Sequence, residues 1–89
     1  MGSVSGMVVI SSAGHDRERW FVVTGADGRY VYIADGKERK LASPKKKNIK
    51  HIRKTDMSLE LSGMTDKQLR RTLAVLSKQS IAEESEKLV

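Results

Sequence analysis

The fold is decided by residues 20–34, which read WFVVTGADGRYVYIA. Aromatic and β-branched residues dominate both ends of this stretch, and the tetrapeptide 25–28 between them contains two glycines and an aspartate. Such residues are typical of a tight turn between paired strands. The pattern therefore predicts a β-hairpin with strands at 20–24 and 29–34.

The alternation within this hairpin predicts which side chains form the core. Successive side chains of a strand point to opposite faces of the sheet. In the first strand we expect Phe21 and Val23 on one face and Trp20 and Val22 on the other, with Phe21 in the core. In the second strand we expect Val31 and Ile33 on the core face and Tyr30 and Tyr32 on the opposite face. Two interpretations stay open for the tyrosines, which could stack bases or pack under a helix, and Trp20 is equally undecided.

Shorter β patterns flank the hairpin on both sides. Residues 7–10 read MVVI, a compact apolar run typical of a buried strand. The dipeptide Asp35-Gly36 predicts a turn into an antiparallel strand at 37–41, and 49–53 would form a last short strand. Several short strands with no helix between them favour a mainly β fold, namely a small barrel over residues 4–56.

The pattern becomes helical after a linker at 57–64. Thr65 and Gln68 form a capping box that starts a helical segment over 65–89, and a second capping pattern at 80–83 predicts a break or a second short helix. One helical face carries Leu69, Leu73 and Leu76. This face could pack on the barrel or bind a protein partner.

The length and composition exclude several classes of function. The chain has 89 residues and no cysteine, which predicts one small domain without disulfides, cysteine zinc sites or thiol catalysis. No apolar run approaches the ~20 residues of a membrane span. We therefore expect a cytoplasmic protein with no cofactor, no membrane partner and no small-molecule substrate.

Positive charge is concentrated in residues 37–54. This segment has nine basic residues and one acidic residue and carries +8, whereas the remaining chain, with eight basic and ten acidic residues, carries −2. A local stripe on a near-neutral chain is typical of a polyanion-binding surface. The stripe comprises Lys37, Arg39, Lys40, Lys45, Lys46, Lys47, Lys50, Arg53 and Lys54. An anionic membrane could attract the same residues, but no lipidation motif or interfacial helix accompanies them.

Catalysis has little support in this sequence. The chain has two histidines, His15 and His51, and neither belongs to a nucleophile or metal-ligand pattern, so we predict that the chain is not an enzyme. His51 is interpreted as a phosphate or base contact or as an exposed strand residue. His15 is interpreted as a loop residue or as an RNA contact.

The many lysines and few aromatic residues indicate how the chain would contact a nucleic acid. The chain has one Trp, one Phe and two Tyr, so contact with the phosphate backbone of folded RNA should dominate over base stacking. Neutralising about five to seven phosphates would make log affinity fall with log salt with a slope on the order of −4 to −6.

Four segments together carry a family resemblance: GMVVISSAGHDR at 6–17, FVV at 21–23, IADGK at 33–37, and PKKK at 44–47 with Lys50-His51. They resemble the bacterial KOW-domain RNA-binding proteins, which are similar to certain archaeal and eukaryotic large-subunit ribosomal proteins. The resemblance covers Gly6 to about Thr55.

The resemblance implies an SH3-like β-barrel whose KOW loop and neighbouring basic arm contact ribosomal RNA without catalysis. The implied loop positions are Ala13, Gly14, His15, Asp16 and Arg17. The implied basic arm is Lys45, Lys46, Lys47, Lys50 and His51. The chain departs from the family at Glu18, because KOW motifs usually have a glycine there that permits tight backbone geometry. A carboxylate at this position is expected to weaken phosphate contact.

The sequence thus predicts a non-catalytic protein that binds ribosomal RNA or the large ribosomal subunit. The candidate RNA-binding residues are Gly14, His15, Arg17, Lys37, Arg39, Lys40, Lys45, Lys46, Lys47, Lys50, His51, Arg53 and Lys54. Two alternatives remain open, a protein-interaction module that uses the barrel and the C-terminal helix, and a nonspecific DNA binder.

Overall fold

The computed structural model describes residues 5–88, with side chains described for 5–78. Five strands precede one helix: β1 Met7–Ser11, β2 Trp20–Asp27, β3 Tyr30–Ala34, β4 Lys45–Asn48, β5 Ile52–Ser58 and α1 Asp66–Leu88. A single 3₁₀ turn, Ile49–His51, lies between β4 and β5. The predicted mainly β chain with a C-terminal helix is confirmed.

The five strands form one antiparallel sheet in the order β4-β3-β2-β1-β5. The predicted hairpin is confirmed, but its turn lies at 28–29 and not at 25–28, because residues 25–27 continue β2 and Asp27 pairs with Tyr30. The first and last strands are neighbours, with Ser11 of β1 opposite Ile52 of β5. Within residues 5–88 no strand pairing joins β4 to β5, so the sheet is open and the predicted barrel is not confirmed.

Both faces of the sheet are buried over much of their area. One face carries a core cluster of Val9, Phe21, Val23, Val31 and Ile33, which contains the predicted core residues Phe21, Val31 and Ile33. The opposite face carries a second cluster, in which Val8, Val22 and Ala34 pack with Leu69 and Leu73 of α1. Burial of each large apolar side chain stabilises the fold by roughly 1.5–3 kcal/mol, so the helix is part of the core.

The predicted strand at 37–41 is wrong, because its backbone donors are bound by carboxylates. Asp35 Oδ1 accepts the N–H groups of Lys37 and Arg39, each at 2.9 Å. The N–H of Leu41 donates to Asp66 Oδ1 at 2.7 Å. These residues therefore form bends and turns, and the strand that pairs with β3 is β4.

The last strand also differs from its predicted limits. Residues 49–51 form the 3₁₀ turn, in which the N–H of Lys50 donates to the Asn48 side chain at 3.0 Å. This local cap competes with strand pairing, so β5 begins only at Ile52. It continues to Ser58, which pairs with Met7, and so includes two residues predicted as linker.

Helix α1 begins at the predicted capping box. The N–H of Gln68 donates to Thr65 Oγ1 at 3.2 Å, and the N–H of Thr65 donates to Gln68 Oε1 at 3.0 Å. The helix continues without a break through 80–83, so the predicted interruption is not found. Leu69 and Leu73 are buried in the protein's own core. No helix in the described part of the chain is both long enough and apolar enough to cross a bilayer.

Candidate nucleic-acid interface

The loop between β1 and β2, residues 12–19, is held closed by its own backbone. The N–H of Ser11 donates to the carbonyl of Arg19 at 3.0 Å, and the N–H of Glu18 donates to the carbonyl of Ser11 at 2.8 Å. Gly14 and Glu18 both adopt positive φ, at 84° and 72°. A residue with a side chain adopts this conformation at a cost of about 1–2 kcal/mol. The strained residue, Glu18, stands where the KOW resemblance expects glycine.

Asp16 is the buried centre of this loop. Its Oδ1 accepts hydrogen bonds from Lys47 Nζ and Ser11 Oγ, both at 2.8 Å, and its Oδ2 accepts one from Lys45 Nζ at 3.0 Å. Burial raises the pKa of the Asp16 carboxyl, but the hydrogen bonds from Lys47, Ser11 and Lys45 outweigh burial and hold that pKa well below its ordinary value. The ionised carboxylate of Asp16 thus links the loop to β4 through Lys45 and Lys47.

Strand alternation separates the three consecutive lysines of β4. Lys45 and Lys47 lie opposite Ile33 and Val31 and therefore share the sheet face that carries the core cluster of Phe21. The side chain of Lys47 is only 10% exposed, and its ammonium also donates to the carbonyl of Ala13 at 2.9 Å. The structure thus gives Lys47 an internal role that differs from the predicted direct RNA contact.

Lys46 faces the other way, towards Tyr30. Its Nζ lies 4.5 Å from the centroid of the Tyr30 ring, a cation–π distance, and the Tyr30 residue is 38% exposed. Neither described core cluster includes Tyr30 or Tyr32. Of the two interpretations, packing of Tyr30 under the helix therefore loses support, and an exposed aromatic beside a lysine remains.

Arg19 joins the β1–β2 loop to the β3–β4 loop. Its guanidinium lies 2.7 Å from Glu38 Oε1 and 3.1 Å from Asp35 Oδ2. The hydrogen bond to Glu38 raises the pKa of Arg19 above its ordinary value. A cleft of about 310 Å³ lies beside this bridge, and its lining includes three of the predicted site residues, His15, Arg39 and Lys45.

The 3₁₀ turn and β5 meet the same loop from the other side. The N–H of Ser12 donates to the carbonyl of His51 at 2.9 Å. Arg53 Nη2 lies 3.2 Å from Glu18 Oε1, in an exposed ion pair. Gly14, His15 and Arg17 are exposed at the loop surface. The structure therefore brings the predicted loop residues together with Lys45, His51 and Arg53.

Two of the predicted residues line further cavities. Lys37 lines a groove beside α1 together with Glu18 and Trp20. Lys54 lines an apolar cavity of about 240 Å³ with Met7 and Ile49. The predicted set is therefore distributed over more than one surface.

Most cations of the stripe lack an anionic partner. Ion pairs engage Lys45, Lys47 and Arg53. The other six are exposed and have no carboxylate partner among the described residues: Lys37, Arg39, Lys40, Lys46, Lys50 and Lys54. Exposed, unpaired cations are the groups that a polyanion can neutralise.

Sequence reasoning missed the residues that organise this surface. Ser11 and Arg19 were in no predicted set, and Asp16 was placed in the loop without a partner. The signal for Asp16 was an acid between a histidine and an arginine in a loop of a basic protein. Its lysine partners could not be identified because β4 was assigned to the wrong residues. No cluster of three or more His, Asp or Glu side chains suited to a metal ion occurs in the described part of the chain.

No model of a known protein family matches the chain, and no curated protein is significantly similar to it. The resemblance to KOW-domain proteins therefore stays a hypothesis that rests on the quoted motifs. The geometry of the interface has to carry the functional argument.

Proposed function

We propose that this chain is a non-catalytic, cytoplasmic RNA-binding protein that contacts folded RNA, with ribosomal RNA as its foremost target. The observation that carries the proposal is the set of six exposed cations without a carboxylate partner in residues 37–54. Positive charges that remain unpaired on a protein surface attract an external polyanion, and release of counterions from its phosphates drives binding. Folded RNA presents phosphates at high density along its A-form helices.

The internal ion pairs support this proposal because they order the elements that carry the cations. Asp16 links the β1–β2 loop to Lys45 and Lys47 of β4. The carbonyl of His51 accepts the Ser12 N–H and so holds the 3₁₀ turn against the same loop. A surface fixed in this way loses less conformational entropy on binding than flexible lysines would.

We further propose that the sheet is an SH3-like barrel of the KOW type. Three observations support this fold. The first and last strands are neighbours, one face of the sheet carries the core cluster of Phe21, and Glu18 adopts a positive φ. An SH3-like barrel with a KOW loop would account for both the loop geometry and the basic surface. The resemblance then implies the large ribosomal subunit as partner.

Two double variants test the proposal with matched charge changes. Lys46→Gln with Lys50→Gln removes two exposed cations of the stripe, and Lys67→Gln with Lys78→Gln removes two exposed cations of α1. Affinity for a large-subunit RNA fragment is measured by fluorescence anisotropy across a salt series. The stripe variant should weaken binding about tenfold and make the salt slope less steep by roughly 2, because each phosphate contact contributes about 0.9 to it. Equal effects of both variants would contradict a localised interface.

Sedimentation of a lysate on sucrose gradients tests the partner. Co-migration with large subunits at low salt and release at high salt is the expected result for contacts made through exposed cations. Absence from ribosomal fractions at both salt concentrations would contradict the ribosomal assignment. In the anisotropy assay, a duplex DNA of the same length as the RNA fragment serves as the competitor. It separates a preference for RNA from general polyanion binding.

A further inference from the structure

A groove of about 350 Å³ lies between the sheet and α1. Its lining combines the apolar side chains Trp20, Leu73 and Ala74 with the cations Lys37 and Arg70. This volume is within the range of ~300–1,000 Å³ that is common for ligand-binding clefts. The groove borders the cleft of His15 and Arg39, since Arg19 lines both, and it adds Trp20 and the helix residue Arg70 to the RNA-binding surface described above.

The available charge in this groove is positive. Its two acids already have partners, since Glu18 pairs with Arg53 at 3.2 Å and Asp35 pairs with Arg19 at 3.1 Å. The side chains of Lys37 and Arg70, by contrast, are exposed and form no ion pair among the described residues. Two unpaired cations beside an apolar lining complement a ligand with an anionic group and a flat apolar part.

The packing of Gly36 explains why Lys37 and Arg70 lie at one groove. Gly36 has φ 78° and lies against the first turn of α1, where a Cβ would collide with the carbonyl of Asp66 and approach the backbone nitrogen of Arg70 to 3.1 Å. The next residue, Lys37, is therefore brought beside the helix. Nothing in the described residues accepts a hydrogen bond from the indole N–H of Trp20, so that donor is available to a ligand.

We propose that this groove binds one unpaired RNA nucleotide, with its base against Trp20 and its phosphate between Lys37 and Arg70. The inference rests on the RNA-binding function proposed above. It is supported by continuity, because Glu18 and Arg19 at the end of the β1–β2 loop also line the groove. An RNA strand bound at the β1–β2 loop can thus continue into the groove. Stacking of a base on an aromatic ring adds roughly fivefold or more to affinity, whereas a regular duplex has no base to offer.

The test uses Trp20 itself, which is the single tryptophan of the chain. Two RNA hairpins of equal length are compared, one fully paired and one with a single bulged nucleotide. The bulged hairpin should bind about fivefold more tightly and should quench Trp20 fluorescence. The paired hairpin should bind through the cationic surface without that quenching.

Matched variants separate the groove from the rest of α1. Arg70→Gln should abolish the preference for the bulged hairpin, and Arg71→Gln, its exposed neighbour outside the groove lining, should not. Ala74→Leu fills the groove at an exposed helical position and should also abolish the preference, whereas Val75→Leu should not. Circular dichroism verifies that all four variants fold.

Each outcome decides between the proposals. Equal affinity for both hairpins with unchanged Trp20 fluorescence overturns the groove inference and leaves the proposed RNA binding intact. Failure to bind either hairpin, together with absence from ribosomal fractions, overturns both. Because the chain has no cysteine, Val75→Cys, next to Ala74 but outside the groove lining, can carry a photocrosslinker at a single site without filling the groove. Crosslinks to protein and not to RNA in ribosomal fractions would assign the groove to a protein partner and overturn the inference.

Discussion

Lys47 Nζ lies 2.8 Å from Asp16 Oδ1, although 31 residues separate the two along the chain. Their side chains are only 10% and 9% exposed. A buried charge is tolerated when it is paired and hydrogen-bonded. Asp16 also accepts hydrogen bonds from Ser11 and Lys45. The pair therefore fixes the β1–β2 loop to β4, and the exposed cations on both elements keep a defined separation.

Asp16→Asn should lower the free energy of unfolding by about 3–5 kcal/mol, because it leaves the Lys47 ammonium buried without an opposite charge. Urea unfolding followed by Trp20 fluorescence measures this loss. Adding Lys47→Met should recover most of it, since a thioether side chain needs no counter-charge at that site.

The control for this experiment is Glu18→Gln, which removes a carboxylate from the exposed pair with Arg53. Exposed pairs contribute about 0–1 kcal/mol, so this variant should be nearly as stable as the unchanged chain. Similar losses for Asp16→Asn and Glu18→Gln would show that the Asp16 network has no special role.

The depressed pKa of Asp16 predicts a loss of stability in acid. Above about pH 5 the carboxyl is ionised in both the folded and the unfolded chain, so its contribution is fully present. As the pH falls through 3.8, the ordinary value, the unfolded chain takes up a proton and the folded chain does not. Stability should then fall by about 1.4 kcal/mol per pH unit until the folded-state pKa is reached.

Urea unfolding at a series of pH values between about 2 and 6 checks this sign. The double variant Asp16→Asn with Lys47→Met lacks the carboxyl, so its stability should decrease less over the same interval. Parallel pH profiles for the two proteins would mean that other carboxyl groups dominate the acid response.

The hydrophobic pattern of the sequence was enough to predict the first strand, the central hairpin and several core residues. Phe21 and Ile33 were assigned to the core, and Leu69 to an apolar helical face, because burial follows a period that is visible in a single sequence. The strand at 37–41 could not be excluded in this way. Its backbone donors are bound by Asp35 and by Asp66, and the latter contact is made by a helix 25 residues further along the chain.

The candidate site was predictable in composition but not in geometry. A run of three lysines indicates a cationic surface, yet only the register of β4 against β3 shows that Lys47 faces inward and Lys46 outward. The role of Lys47 depends on Asp16, whose position is set by a loop conformation that has no periodic signal. Long-range partners of this kind are the part of the site that a local pattern does not contain.

Gly36→Ala should destabilise the protein by roughly 2–4 kcal/mol. The substitution combines the strain of a positive φ, about 1–2 kcal/mol, with a collision against the backbone of α1 at Asp66. Gly28→Ala is the matched control, because Gly28 also has a positive φ of 62° but has no atom near its missing Cβ. Thermal unfolding should place Gly28→Ala between Gly36→Ala and the unchanged chain. Equal losses would mean that contact between this loop and the helix adds nothing.

Glu18→Gly should strengthen RNA binding while leaving stability nearly unchanged or slightly higher. The glycine removes the strain of the residue at φ 72°, which offsets its larger entropy in the unfolded chain. It also releases Arg53 from its exposed ion pair, and one more cation that contacts a phosphate should make the salt slope steeper by about 0.9. Glu18→Gln releases Arg53 without relieving the backbone, so it should reproduce the steeper slope but not any gain in stability. Anisotropy titrations of both variants over a salt series separate the two effects, and an unchanged slope in both would place Arg53 outside the RNA contact.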